Sequence, residues 1–548
     1  MANLEIDKRE FTELVGKEFD DQKLIEEASF LGVHWHNIDG NVCQVENYPN
    51  RPDCLSVEGI ARAYRGFFDI QKGRTEYEVS EGSIEVEVDR SVERVRPHIG
   101  GAVVRNLELS EKVINGLIQL QEKMHETMGR RRDKLAIGLH DLSTVEPPFT
   151  YKAVEPEKVE FTPLEYNRNM QLGEILDEHE KGQEYAWILD DEEKYPIIED
   201  SAGRVLSFPP IINNQLTEVE SGTEDIFIDV TGKDRDTVMK ALNILTTALE
   251  ERGGEIESVM VDSEEMPDLT PKAMELEVDY FRDVSGLELE ESEIIERLKM
   301  MKYGASGGED IRVEVPCYRN DVMHQYDLIE DIIIAHRYTN IDPELPEIDQ
   351  IAEQKDVEDL AQVVRNIMTG AGAFEAMTYV HDNRDNLTEK IQVVEENFVK
   401  VENPLSDEYG ALRNLMTPSL LKVLKQNKHR SYPQKFFETG NVAKLDDSPV
   451  GAKNKKKTAF IQTGNQIDFT DARKTLQVLE RDLGIKLEVK DDVKPFFQDT
   501  RSGKVMLGGE EVGFIGQFSE EVLEKWELDK PTAGFELDLE KINENLKK

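Results

Sequence analysis

The stretch DVMHQYDLIEDIIIAHRY, from Asp321 to Tyr338, gathers acid on one side and apolar bulk on the other. Asp327, Glu330 and Asp331 stand at i, i+3 and i+4, so a helix stacks them on one surface, and Asp321 lies in the segment leading into it. Four carboxylates brought this close repel one another unless a cation sits among them. An oxygen-only donor set without Cys or His suits a hard ion, and Asp321, Asp327, Glu330 and Asp331 are therefore read as candidate ligands of Mg2+. The competing reading is the solvated face of an amphipathic helix, since acidic triples are common in a chain with 113 Asp and Glu.

Working outward, 548 residues exceed what one hydrophobic core organises, and several domains are expected. No apolar run approaches the ~20 residues a membrane-spanning helix needs, and MANLEIDKREF has no basic stretch followed by an apolar one, so a cytoplasmic protein with no membrane partner is expected. Cys43, Cys54 and Cys317 are scattered and form no C-x-x-C pair, which argues against a disulfide framework and against structural zinc. The net charge of −47 works against a polyanionic partner such as RNA at ordinary ionic strength. At molar salt, where screening shortens to ~3 Å, such a surface instead keeps a protein hydrated, so a halophilic, salt-adapted protein is expected. An acidic protein from ordinary salt is the alternative, because lysines persist, as in KNKKK at Lys453 to Lys457.

Two strings carry a resemblance. The segment VPCYRNDVMHQYDLIEDIIIAHRYTNI resembles the VP-x-x-R-x-D-(I/V)-x-H-x-x-D-(I/L)-x-E-(D/E) segment of the beta-subunit family of phenylalanine–tRNA ligase. Far upstream, NRPDCLSVEGIARA, beginning at Asn50, is similar to the same family's NRPD-x-LS-x-EGIAR signature. Read from residues alone, Asn-Arg-Pro marks a loop and Ser56 caps a helix carrying Ile60 and Tyr64. The resemblance covers nearly the whole chain and implies an α+β multidomain protein of the archaeal and eukaryotic type. Its expected parts are a B1-like domain over 1–87, a B3/B4 editing-type domain over 88–264, a B5 helix-and-strand domain over 265–345, and a class II synthetase-like antiparallel sheet flanked by helices over 346–548.

In the second of these, strands are expected in KLAIGLHDL, SFPPIINN and DIFIDVTG, with helices over Ser110 to Met128 and Arg235 to Glu251. The resemblance implies that this domain hydrolyses tyrosine wrongly attached to tRNA. Matched position by position, it points to Gln121, His125 and Arg130 in one segment and to Asn213, Asn214, Asp229 and Thr231 in two others. Such a site needs donors that hold the ester and orient a water, without a protein nucleophile. Each residue also has a plain role open to it, because Asn and Thr near strand ends commonly serve turns and the basic run RRRDK at Arg130 suits a solvated loop.

The last region resembles a synthetase fold without its activity. A class II site would carry an arginine two positions before a motif-2 glutamate, but Phe436 stands two before Glu438, and no G-x-G-x-G-x-x-R occurs. With nothing to neutralise the phosphates, no ATP-activating site is expected in this chain. The resemblance thus implies a beta subunit of an α2β2 heterotetramer. Its catalytic alpha subunit binds most of the ATP and L-phenylalanine, and tRNA(Phe) is the shared substrate. A free-standing tRNA-editing hydrolase or a non-catalytic RNA-binding scaffold are the alternatives.

Overall fold

The computed structural model describes residues 2–308, 310–348, 350–394 and 397–547. The chain divides into two compact units, Met1–Glu344 and Leu345–Lys548.

In the first unit the chain opens with the strand Ala2–Asp7 running into the helix Lys8–Val15, whose N-cap Asp7 accepts from the Arg9 and Glu10 amides. That strand pairs with Val42–Asn47, which pairs with Val33–Asp39, as a three-stranded antiparallel sheet. The NRPD loop is held by its own charges. Arg51 binds Asp53 through two hydrogen bonds of 2.8 Å, both residues are buried, and Asn47 donates to the Arg51 and Cys54 carbonyls. Ser56 then caps the helix Val57–Phe67, accepting from the Gly59 amide. Gly59 is required here because a Cβ would meet the Asp53 carbonyl oxygen at 1.6 Å.

Residues 272–336 add a second three-stranded sheet, Lys272–Leu276, Ile311–Val315 and Gly304–Ser306, with helices Val278–Ser285, Glu291–Met300 and Gln325–His336. The strand Ile311–Val315 follows Gly307 and Gly308 in sequence, and Glu309 lies outside the described residues. The helix Gln325–His336 buries Leu328, Ile329, Ile332 and Ala335, each large side chain contributing about 1.5–3 kcal/mol of burial. These side chains join one continuous core with Leu4, Phe11, Trp35, Ile60 and Tyr64. Segments some 250 residues apart in sequence share that core because neither small sheet buries enough surface alone.

The largest element is a ten-stranded sheet. Its order runs Ile212–Asn213, Val205–Phe208, Tyr195–Glu199, Phe149–Val154, Val79–Val88, Glu255–Val261, His98–Arg105, Ile226–Gly232 and Leu135–Asp141, with Glu264–Met266 beside Glu255–Val261. SFPPIINN is therefore two strands joined by a turn at Pro209 and Pro210, since neither proline donates an amide to a ladder. The helices Glu111–Glu126, capped by Ser110, and Arg235–Glu250, capped by Asp234, fall where their periodicity places them.

The second unit carries a seven-stranded sheet ordered Phe374–Glu375, Gln434–Leu445, Ala452–Thr463, Thr532–Asp538, Glu510–Phe518, Phe497–Leu507 and Glu488–Asp491. Every pairing is antiparallel except the edge strand Phe374–Glu375, which runs parallel to its neighbour. Helices Asp356–Gly370, Phe469–Asp482 and Leu539–Leu546 contribute to one core cluster, and Thr417–Gln426 and Glu520–Lys525 to another. No helix among the described residues is long and apolar enough to cross a membrane.

Candidate functional site

A cavity of about 400 Å³ opens between the helix Glu111–Glu126, the strand Leu135–Asp141 and the Ser207–Asn213 turn. Mostly apolar walls with a few polar groups are the common make-up of a small-molecule site. Gln121, His125, Asn213 and Asp229 line it, so four of the seven candidates, drawn from separate parts of the chain, meet at one place.

On the floor, Asp229 Oδ2 lies 2.8 Å from His140 Nε2, and His140 Nδ1 lies 2.8 Å from Thr217 Oγ1, all three residues buried. A ring that donates to the carboxylate from Nε2 accepts the threonine O–H at Nδ1, so one hydrogen-bonded chain fixes the carboxylate. Gly138 makes room for it: a Cβ there would meet Asp229 Oδ2 at 2.0 Å.

His125 is not free to take a proton. Its Nε2 accepts the Ile137 amide at 2.9 Å, and Nδ1 faces Glu122 Oε1 at 3.4 Å. Burial outweighs the Glu122 hydrogen bond and lowers its pKa to about 4. Gln121 donates to the Ile137 carbonyl at 2.7 Å, and Asn213 donates to the Leu139 carbonyl at 3.3 Å. All three anchor the strand Leu135–Asp141 to the cavity wall.

Three candidates lie off the wall. Asn214 caps the turn behind it, accepting from the Leu216 amide and donating to the Val205 carbonyl. Thr231 Oγ1 accepts from Arg96 Nε at 3.0 Å, and Arg130 is exposed to solvent. The arginine on the wall is Arg132 instead. It donates to the Pro210 and Ile211 carbonyls and to Glu122 at 2.7 Å. Burial would raise the Glu122 carboxyl, but the His125 hydrogen bond and the Arg132 charge outweigh it and hold it at about 2.

A second group escaped the sequence reading. Ser207 lines the cavity, is 2 % exposed, and its Oγ has no hydrogen-bond partner among the described residues. A serine inside an apolar strand carries no sequence signal. Only its unsatisfied hydroxyl, worth about 1–3 kcal/mol of lost hydrogen bonding, singles it out.

The four carboxylates of the opening segment do gather. Asp321 binds Arg319 through two hydrogen bonds of 2.9 and 2.7 Å, and Asp331 accepts from the same guanidinium at 2.7 Å and from the Tyr303 hydroxyl. Asp327 accepts the Met323 and His324 amides through Oδ2, capping the helix it begins. Glu330 is exposed, and partial burial, then Asp331, Asp327 and Asp321, raise its pKa. The cation between Asp321 and Asp331 is thus an arginine, and among the described residues no group of three or more His, Cys, Asp or Glu is arranged to hold a metal ion. Glu330 makes no ion pair among the described residues, and both hydrogen bonds to Asp327 end on its Oδ2.

In the second unit, Glu438 is buried, bound to Arg413 at 2.8 Å and accepting from Thr378 Oγ1 at 2.6 Å. Beside it Lys457 meets Glu536 at 2.6 Å, and Glu536 also accepts the Met416 and Thr417 amides. These charges are satisfied within the chain. Exposed apolar side chains collect at the sheet edge instead: Phe374 is 72 %, Met377 94 % and Tyr379 77 % exposed.

Residues 341–539 match the family model described as phenylalanyl tRNA synthetase beta chain CLM domain, and residues 274–338 match the tRNA synthetase B5 domain. The phenylalanine–tRNA ligase beta subunit of Thermococcus sibiricus is 37% identical over 551 residues, 98% of each chain. That of Pyrococcus furiosus is 38% identical over 99% of this chain and 100% of the relative. A crystal structure of an N-terminal fragment of the Pyrococcus horikoshii phenylalanyl-tRNA synthetase beta subunit superimposes with a TM-score of 0.59 at 40% identity, covering 61% of this chain and 99% of the fragment.

Proposed function

The chain belongs to the family of phenylalanine–tRNA ligase beta subunits, and from that premise we propose that it is the subunit of a cytoplasmic α2β2 ligase that clears mischarged tRNA while its partner activates the amino acid. The assembled enzyme attaches L-phenylalanine to tRNA(Phe) at the expense of ATP. Alpha binds the ATP and phenylalanine, in keeping with Phe436 standing two before Glu438 and with that glutamate's pairing to Arg413. The exposed strip at Phe374, Met377 and Tyr379, on an open sheet edge, suits a protein partner.

The cavity is the hydrolytic site in this reading, and Ser207 is the observation that carries it. A buried hydroxyl without a partner, facing a cavity with Asp229 on its floor, supports recognition of a polar group such as a tyrosine phenol or the ester. The need is physical, since a pocket for phenylalanine rejects an added hydroxyl by only about a hundredfold. Asp229, held by His140, orients the attacking water, and Gln121 and Asn213 shape the wall. Ser207→Ala and Asp229→Asn in the assembled enzyme should let Tyr-tRNA accumulate, with clearance slowed about 10-fold or more and phenylalanine charging near parental. Parental clearance by both variants would overturn this placement.

The reading also includes Mg2+ at the face of Asp321, Asp327, Glu330 and Asp331, supported by their convergence on Glu330. Because Arg319 already neutralises two of the four, Asp327 and Glu330 would hold the ion with donors from outside this chain. Asp327→Asn with Glu330→Gln should lower the magnesium content of the purified tetramer, and unchanged content would sink the assignment.

A further inference from the structure

The loop that carries Arg132 to the cavity wall also presents an outer face. Arg132 stacks on Tyr185, its guanidinium carbon 4.4 Å from the ring centre. One residue earlier, the Arg131 guanidinium lies 5.9 Å from the ring centre of Trp187. Arg130 and Arg131 are exposed, and Trp187 is 45 % exposed. Neither arginine has an ion-pair partner among the described residues. Of the carboxylates in the flanking segments, Glu122 is paired to Arg132, Asp133 to Lys233 and Glu184 to Lys181, while Asp190, Asp191, Glu192 and Glu193 follow Trp187 in sequence and pair with neither arginine. Two arginines without ion-pair partners among the described residues, one of them over an open indole, are out of keeping with a chain of net charge −47.

The backbone there is held rather than relaxed. Arg130, Arg131 and Arg132 have φ of 47°, 57° and 65°, the left-handed region that costs a non-glycine residue about 1–2 kcal/mol. Buried Arg96 maintains it by donating to the Arg132 and Asp133 carbonyls. The distortion sends Arg132 to the cavity wall and leaves Arg131, one residue before it, over Trp187.

We propose that Arg130, Arg131 and Trp187 form a landing for the single-stranded 3′ end of an RNA, one base stacking on the indole and the guanidiniums meeting its phosphates, so that the terminal ester is fed into the cavity. Stacking on an aromatic ring with arginines on the backbone is how proteins hold single strands of any sequence. The proposal rests on the hydrolytic reading of the cavity.

The chain supplies its own probe, because of three tryptophans Trp35 and Trp526 are buried at 3 % and 2 % and only Trp187 is open. An acceptor-stem minihelix ending in single-stranded CCA should quench the fluorescence of the full chain, and the same stem without those three nucleotides should not. By anisotropy of a labelled minihelix, Arg130→Ala with Arg131→Ala should weaken binding about tenfold or more and make its salt dependence shallower by roughly one unit of slope or more. Trp187→Leu should bind weakly, and Trp187→Phe should recover part of the affinity. In the assembled enzyme the arginine double variant should raise KM for Tyr-tRNA clearance and leave kcat near parental.

Equal quenching by the truncated stem or by polyglutamate, or parental binding by the double variant, would overturn the landing. The two readings fail separately. CCA-dependent binding with unaffected clearance in the Ser207 and Asp229 variants would remove the hydrolytic site and leave the strand site, whereas absent binding with impaired clearance would do the reverse.

Discussion

At His125, burial and hydrogen bonding decide between a catalytic base and a structural strut. The Ile137 amide occupies Nε2, and the lowered pKa of about 4 follows from the cost of charging a buried ring. The folded value lies below the unfolded one of about 6.5. The group therefore adds stability that is present above the unfolded value and is lost as pH falls through the folded one, up to roughly 3 kcal/mol. We expect the imidazole signals of His125 to stay unprotonated between pH 7 and 5 in a proton–carbon NMR titration, and Tyr-tRNA clearance to show no inflection from it. A His125 midpoint near 6.5 would refute this. Ser207 has the opposite character, a buried group lacking the partner its neighbours have.

Among elements, the loop Arg130–Arg132 is shaped from a distance. Arg96 is buried, and burial lowers its pKa to about 10, yet its guanidinium is held by the Arg132, Asp133 and Thr231 carbonyls and the Thr231 hydroxyl. Arg96→Lys keeps the charge but cannot reproduce that fork. We expect a loss of about 2–4 kcal/mol in chemical denaturation, together with impaired Tyr-tRNA clearance, because Arg132 loses its position. Full stability in the lysine variant would show that the loop holds itself. The helix Gln325–His336 illustrates the same point, since its buried acid Asp331 is paired with Arg319, which lies outside the helix.

For the whole molecule, the exposed strip on the edge of the second unit is its most evident incompleteness. Met377→Asp with Tyr379→Asp should abolish co-purification with alpha, while the melting temperature of the isolated beta chain shifts by no more than about 2 °C, because both side chains are already in water. Retained assembly would place the interface elsewhere.

Sequence alone determined what is local or continuous along the chain. Periodicity located the helices Glu111–Glu126, Arg235–Glu250 and Gln325–His336 to within a few residues, and two long ordered strings pointed to the family. It also brought Gln121, His125, Asn213 and Asp229 forward as candidates, residues that do line one cavity. Tertiary structure decided the rest, because burial and partner choice are set by what arrives from elsewhere. It left Asn214 in a turn, Thr231 on Arg96 and Arg130 in solvent, and it put Arg132 on the wall. It singled out Ser207 only by what fails to reach it. It placed Arg319 among the acids, a balance that helical spacing cannot express, since spacing counts charges on one element and says nothing of the counter-charge that folds against them.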